Sequence, residues 1–212
     1  MEGNGRKLII IGAGGHAKVV IATAQAAGVA VVGLYDDDPA MSGQVVLGIP
    51  VLGTCRDIDA SRVDGVVLAI GSNTLRRRLA LEFAELPWMT LTHPAATVHE
   101  TARLAPGSVV FAGAVVQPEA ELGGHVIVNT GASVDHDCRI GDFVHIAPGA
   151  RLAGNVRVGE GSLIGIGSCV APNTAVGDWS VIGAGGAVTD DIPDGVLAAG
   201  VPARVLKRLE TG

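Results

Sequence analysis

The sequence predicts an α/β segment over residues 1–92 followed by an all-β parallel β-helix over residues 93–212. The chain has 212 residues, and three observations carry this reading. From Val98 to Val188 every sixth residue is aliphatic, through Leu104, Val110, Val116 and onward to Ile182, and the pattern stops at Thr92 and Asp194. Four residues after each of these positions stands a small or β-branched residue, from Ala102, Ser108 and Ala114 to Thr174 and Ser180. Before the hexads, a strand, a glycine turn, a helix and a second strand follow in order. A period of six fits neither a helix at 3.6 nor a plain strand alternation, so it reports a repeat architecture.

The α/β elements come first. Lys7–Ile11 reads as a strand, His16–Ala27 as a helix closed by Gly28, and Val29–Tyr35 as a second strand. Val66–Ile70 is a third strand, and Asn73–Leu86 a second helix that ends before Pro87. Gly12-Ala13-Gly14-Gly15-His16-Ala17 fits G-x-G-x-x-A, with Asp36 at the end of the next strand, so a Rossmann-like nucleotide site is expected. The segment shows too few strands for a full dinucleotide fold. Half a fold suggests half the ligand, the ribose and pyrophosphate of a nucleotide-sugar at a helix N-terminus. A tight turn that only packs helix on strand is the alternative.

Each hexad then supplies a short strand and a turn. The ladder residue and the small residue two positions before the next one both point inward. Glycine recurs three after the ladder (Gly107, Gly113, Gly131, Gly149, Gly161, Gly167, Gly185), and Pro106-Gly107 and Pro148-Gly149 suit type II turns. Stacked repeats bury a continuous column. A narrow interior explains why aromatics are 3% although hydrophobic residues reach 48%. At a stride of 18 the outward residues Val109, Ile127, His145, Leu163 and Val181 form an apolar stripe, whereas Arg103, Glu121, Arg139 and Arg157 form a charged one. An outward apolar stripe marks an interface.

Net charge is −6 and aromatics are sparse, which gives no support for a nucleic-acid partner. No apolar run reaches transmembrane length and the N-terminus lacks a signal pattern, so no membrane span and a cytoplasmic location are expected. Cys55, Cys138 and Cys169 are scattered and odd in number, against a disulfide framework or a zinc site.

Gly12 to Lys18, then Ala69-Ile70-Gly71-Ser72-Asn73, then His93-Pro94, the hexads, and Gly200-Val201-Pro202-Ala203-Arg204 together resemble the NeuD/PglD-like sugar acetyltransferases, of the sialic-acid and bacillosamine type. The resemblance spans nearly the whole chain. It implies a left-handed, triangular β-helix of about five 18-residue coils, acetyl-CoA as co-substrate without a metal, and a homotrimer with active sites between adjacent subunits, its contact expected on the apolar stripe. It also implies a nucleotide-linked amino sugar as acceptor, of a 4-amino-6-deoxy type, held by Gly14, His16, Asp36, Asp37 and Asn73.

Acetyl transfer needs a base, an oxyanion donor and substrates held in line. His136 sits at a turn as Asp135-His136-Asp137, and the residue eighteen later is Gly154. The resemblance makes His136 the catalytic base and Asp137 its acidic partner. Gly154 would offer the oxyanion N–H. His145 would contact the coenzyme, with backbone near Gly165, Gly183 and Ala184 along its path and Arg204, Lys207 or Arg208 near its phosphates. His125 reads as a turn residue, His99 as exposed, and His93 carries no assigned chemistry. Cys138, at an inward position, reads as a buried inert thiol. Direct transfer rather than an acyl-enzyme follows. O-acetylation of sialic acid or a related sugar is the nearest alternative. A zinc-dependent β-helix fits poorly, because His136 and His145 are nine apart and not five. A non-catalytic scaffold is the remaining reading.

Overall fold

A computed structural model describes residues 5–209. The α/β part holds β1 (Lys7–Ile11), α1 (Gly15–Ala26), β2 (Ala30–Tyr35), β3 (Val45–Val46), β4 (Ile49–Gly53), β5 (Gly65–Leu68) and α2 (Asn73–Glu82). Its sheet runs β3-β4-β2-β1-β5 and is parallel except for the β3–β4 hairpin. Five strands replace the three expected. The missed pair is short and carries Gly48 and Pro50, both weak strand signals. β5 ends at Leu68, because Ile70 and Gly71 turn their carbonyls toward Arg76.

Every hexad yields a two-residue strand that ends on its ladder residue, from Thr97–Val98 to Ala187–Val188. Parallel pairing joins residues eighteen apart, for example Val116 with Val134, and sorts the strands into three sheets. We call these the middle face (Thr97–Val98 to Ala187–Val188), the charged face (Arg103–Leu104 to Ala175–Val176) and the docking face (Leu91–Thr92 to Arg204–Arg208). From Val110 to Val188 all ladder residues are buried. Each such aliphatic side chain contributes about 1.5–3 kcal/mol. The second inward column is buried from Ser108 to Ser180, and its serines spend their hydroxyls on corner carbonyls, as Ser162 does on Gly177. Cys138 is buried there, bonded to the Ala153 carbonyl, with its thiol pushed up by burial.

All seven glycines that recur in the turns adopt positive φ, between 64° and 78°. The remaining left-handed corner positions differ by edge. Glu119, Asp137, Asn155 and Asn173 fill one corner, His125, Phe143 and Trp179 another. The ladder fails at Asp194 because the last coil is two residues shorter. Ile192 bridges Val176, Ala198 pairs with Ile182, and Asp194 accepts the Asp178 N–H at 2.8 Å.

The apolar stripe requires a correction. Val109 and Ile127 are each 1% exposed without any second subunit, because the α/β domain covers them. They share a core with Leu8, Ile10, Ala17, Ile21 and Phe111. An outward apolar column has to be covered by something, and here the covering element precedes it in the same chain. Farther along, Leu163 and Val181 line a cavity of about 640 Å³ with Asn73, Arg77 and Trp179. His125 is likewise more than a turn residue. Its ring is buried at the seam between the domains, stacked on Phe143 at 5.4 Å and edge-on to Trp88 at 4.8 Å.

Candidate active site

His136 lies on the corner that follows the middle-face strand Ser133–Val134. Asp137 adopts φ 59° and turns its carboxylate back, so that Asp137 Oδ2 meets His136 Nδ1 at 2.7 Å. The carboxylate fixes the proton on Nδ1 and leaves Nε2 as the basic nitrogen. The His136 pKa is raised above its ordinary 6.5, chiefly by this hydrogen bond, with Asp135 and Asp137 charges adding to it. The imidazole is exposed and lies over Gly154 on the next coil. A Cβ at Gly154 would sit 2.5 Å from both His136 Cε1 and Nε2. Among the described residues the Gly154 N–H donates to no acceptor, whereas the Asn155 N–H beside it bonds the His136 carbonyl at 2.9 Å. Asn155 Nδ2 donates to Asn173 Oδ1 at 2.7 Å on the following coil. A basic nitrogen and a free N–H thus share one small surface.

The other expected site residues fall into three groups. At the first glycine turn, Gly12 (φ 101°) must lack a side chain, since a Cβ would approach Ile70 Cδ1 to 2.7 Å. Gly14 caps α1 with no side-chain ligand, so the helix N-terminus opens to solvent. A depression of about 500 Å³ lies there between Gly14, Gly15 and Lys18 on one side and Met41, Gln44 and Leu47 on the other. Asp36 does not point freely into it. Its oxygens accept the Ala13 N–H at 2.7 Å and the Asp38 N–H at 2.9 Å, while Asp37 accepts the Cys55 N–H at 2.8 Å. These carboxylates build the loops that border the depression.

A second group sits at the seam between the domains. Asn73, expected to hold the sugar, lies here and lines the cavity beside Arg77 and Trp179. Its Nδ2 donates to the Gly161 and Ser162 carbonyls and its Oδ1 accepts from Arg76, so both ends are spent on joining the domains. His145 points toward the α/β domain of its own chain, 6.3 Å ring to ring from His16. Asn129 Oδ1 accepts the Thr130 N–H, so its Nδ2 is the donor to His145 Nε2 at 3.0 Å. Burial and the Arg76 cation hold both His16 and His145 down to about 4. His125 is pushed to about 4 by the same causes, with Asp142 opposing them. His16 Nε2 is buried with no partner among the described residues.

The sign of these three shifts sets an acid limit. A histidine held neutral when folded and near 6.5 when unfolded contributes stability that is full above about pH 6.5 and is lost as pH falls toward 4. The melting temperature is therefore expected to drop between neutral pH and pH 5 in a calorimetric series. A flat profile would show that the seam histidines gain no proton on unfolding.

The third group, Gly165, Gly183 and Ala184, lies on the corner between the docking and middle faces. Gly165 and Gly183 spend their N–H groups on Ile182 and Ala198. Gly165 is bare because a Cβ would strike the next coil at the Ala184 nitrogen, 2.8 Å away. Ala184 is exposed and its N–H has no acceptor among the described residues. Arg204 is paired with Asp190 at 3.3 Å, while Lys207 and Arg208 are exposed on the last strand. Among the described residues no group of three or more His, Cys, Asp or Glu is placed to hold a metal, and no helix is long and apolar enough to cross a membrane.

Arg76 and Asn129 were not anticipated. Arg76 stands three and four residues before the buried Leu79 and Ala80, so the helical period did place it on the inner face of α2. Its position within Arg76-Arg77-Arg78 disguised it as a solvated charge run.

The model of the PglD N-terminal domain matches residues 7–83. The acetyltransferase domain of PglB from Neisseria gonorrhoeae FA1090 is 45% identical, covering 95% of this chain and 100% of that one, with a TM-score of 0.88. The chain belongs to the NeuD/PglD-like sugar acetyltransferase family. It is an acetyltransferase, and its three-faced coil is the family's left-handed β-helix. A histidine-to-asparagine variant of perosamine N-acetyltransferase from Caulobacter crescentus, in complex with CoA and GDP-perosamine, is 39% identical. That match covers 95% of this chain and 97% of the relative, with a TM-score of 0.89. WeeI from Acinetobacter baumannii AYE is 26% identical over 94% of this chain and 99% of its own, with a TM-score of 0.83. No curated protein sequence matches the chain.

Proposed function

We propose that this family member transfers the acetyl group of acetyl-CoA to the amine of a nucleotide-linked amino sugar, of a 4-amino-4,6-dideoxy type. The observation that carries the reading is the His136–Asp137 pair lying over Gly154, whose N–H is unspent. The bound ligands of the perosamine N-acetyltransferase, CoA and GDP-perosamine, support the two substrate classes, as does acetyl coenzyme A on the PglB domain.

The neutral amine attacks the thioester carbonyl carbon as His136 Nε2 removes its proton. Asp137 stabilises the imidazolium that forms. The tetrahedral oxyanion takes the Gly154 N–H, and collapse expels the coenzyme thiolate, which recovers the proton from His136. The helix N-terminus at Gly14 and Gly15, with Lys18, faces the pyrophosphate. Coenzyme A runs along the corner of Gly165 and Ala184. That corner and the His136 corner bound opposite sides of the middle face, so one chain holds the base and the coenzyme edge apart. A homotrimer with sites between adjacent subunits would bring the two edges together, and a cytoplasmic location belongs to the same reading.

Turnover with acetyl-CoA and a panel of UDP-, GDP- and dTDP-linked amino sugars tests this reading. Binding of coenzyme A without turnover on any acceptor would overturn it. Asp137→Asn should lower kcat by about 10- to 100-fold, as loss of an orienting partner does. It should also move the acidic limb of the rate profile to lower pH, because the bond that raises the His136 pKa is weakened. An unshifted profile would remove Asp137 from the mechanism.

A further inference from the structure

Arg76 is 1% exposed, and among the described residues its guanidinium pairs with no carboxylate. Its guanidinium instead spends all its donors on six neutral acceptors. Nε bonds the His125 carbonyl at 2.9 Å, and Nη1 bonds the carbonyls of Ile70 at 3.0 Å and Gly71 at 3.4 Å. Nη2 reaches Asn73 Oδ1 at 2.9 Å and the carbonyls of Phe143 at 2.5 Å and Val144 at 3.5 Å. A buried cation without a counter-ion is expensive, and an apolar side chain of the same volume would pack at no such cost. Burial alone lowers its pKa to about 9, so the charge is retained at neutral pH. Its retention calls for an effect that packing does not supply.

What the guanidinium holds is the Ile70–Asn73 turn on one side and the His125–Phe143 corner on the other. His145 opens the strand that follows Phe143 and Val144, and the Gly71 carbonyl stands against its ring. His145 bonds Asn129, which stands on the same corner as Gly165 two coils on and Ala184 three coils on. We propose that Arg76 is a positioning residue for acetyl transfer, setting the register of the two domains and thereby the place of His145 and His16 beside the coenzyme edge. Its planar fork explains the residue type, since lysine offers three donors from a point and cannot span both sides of the seam. Burial above all, and the Arg76 cation after it, oppose protonation of both imidazoles.

This inference rests on the acetyl-transfer reading but is testable apart from it. Histidine-labelled full-length protein, as wild type, Arg76→Lys and Arg76→Met, is followed by nitrogen NMR between about pH 8 and pH 5, alongside steady-state kinetics for both substrates. In the wild type, His16 and His145 should not titrate in that range, and His145 should carry its proton on Nδ1. In Arg76→Met the onset of protonation at the acid end should move up, because the cation is gone while burial, the larger cause, remains. Arg76→Lys, folded by circular dichroism, should lose about 10- to 100-fold in kcat/KM, the scale of a misplacement near 1 Å. Wild-type kinetics in Arg76→Lys, or wild-type His16 and His145 titrating near 6.5, would overturn the proposal. A loss confined to melting temperature would do the same. If Arg76→Met does not fold, the lysine variant and the wild-type titration decide. Absence of any acetyl transfer by the wild type would count against the transfer reading, and the titration would still report on Arg76.

Discussion

His136→Ala is expected to lower kcat by about 10²- to 10⁴-fold, the range set by loss of a positioned general base. The KM for acetyl-CoA should hold, because the coenzyme edge at Gly165 and Ala184 belongs to a different corner of the coil. Stability should hold as well. The His136 side chain is 61% exposed and its partner Asp137 60%, so truncation leaves no cavity and no buried orphan. The wild-type profile should show an acidic limb above 6.5, the ordinary histidine value, because its hydrogen bond to Asp137 raises His136. Activity falls as pH drops through that limb, and the variant should lack it. Near-wild-type turnover by His136→Ala would assign the base elsewhere.

Gly154→Ala is expected to cost about 10²-fold in kcat/KM through geometry alone. The new methyl would lie 2.5 Å from two imidazole atoms, a distance that packed carbons do not reach, so the ring must swing off the coil. Backbone strain is not the cause, since Gly154 lies outside the positive-φ residues. The melting temperature should change little, because an exposed ring can move into solvent. Measured together with His136→Ala, the double variant should lose no more than the histidine variant does, as expected for two changes that disable one group. Additive losses would mean that the methyl also obstructs the oxyanion's approach to the Gly154 N–H, which alanine retains.

These two residues show what the sequence revealed well. A strict hexad ties position to place, so adding eighteen to His136 reaches Gly154 without coordinates, and every two-residue strand ends where the ladder says. The same arithmetic found the buried Cys138 and the left-handed glycines of the turns. It failed where contacts leave the coil. Val109 and Ile127 announced a covered surface, but nothing in a local pattern tells whether a second subunit or the chain's own first domain covers it. Asn73 lay in a glycine turn that suits a ligand, yet its amide bonds carbonyls nearly ninety residues away. Asp36 and Asp37 were expected to hold the nucleotide-sugar, whereas their use as acceptors for Ala13, Asp38 and Cys55 depends on how the loops fold back. Long-range polar pairing is a property of the packed domains, and Arg76 is its clearest case. The helical period placed it inside α2 without indicating that six acceptors from both domains waited there.

Product analysis with acetyl-CoA and a GDP-linked 4-amino sugar tests the central claim most directly. The account predicts that free coenzyme A and the N-acetylated nucleotide-sugar appear in equal amounts, with no acetyl group retained on the protein. Acetyl found on a sugar hydroxyl, on Cys138, or only as acetate would contradict it.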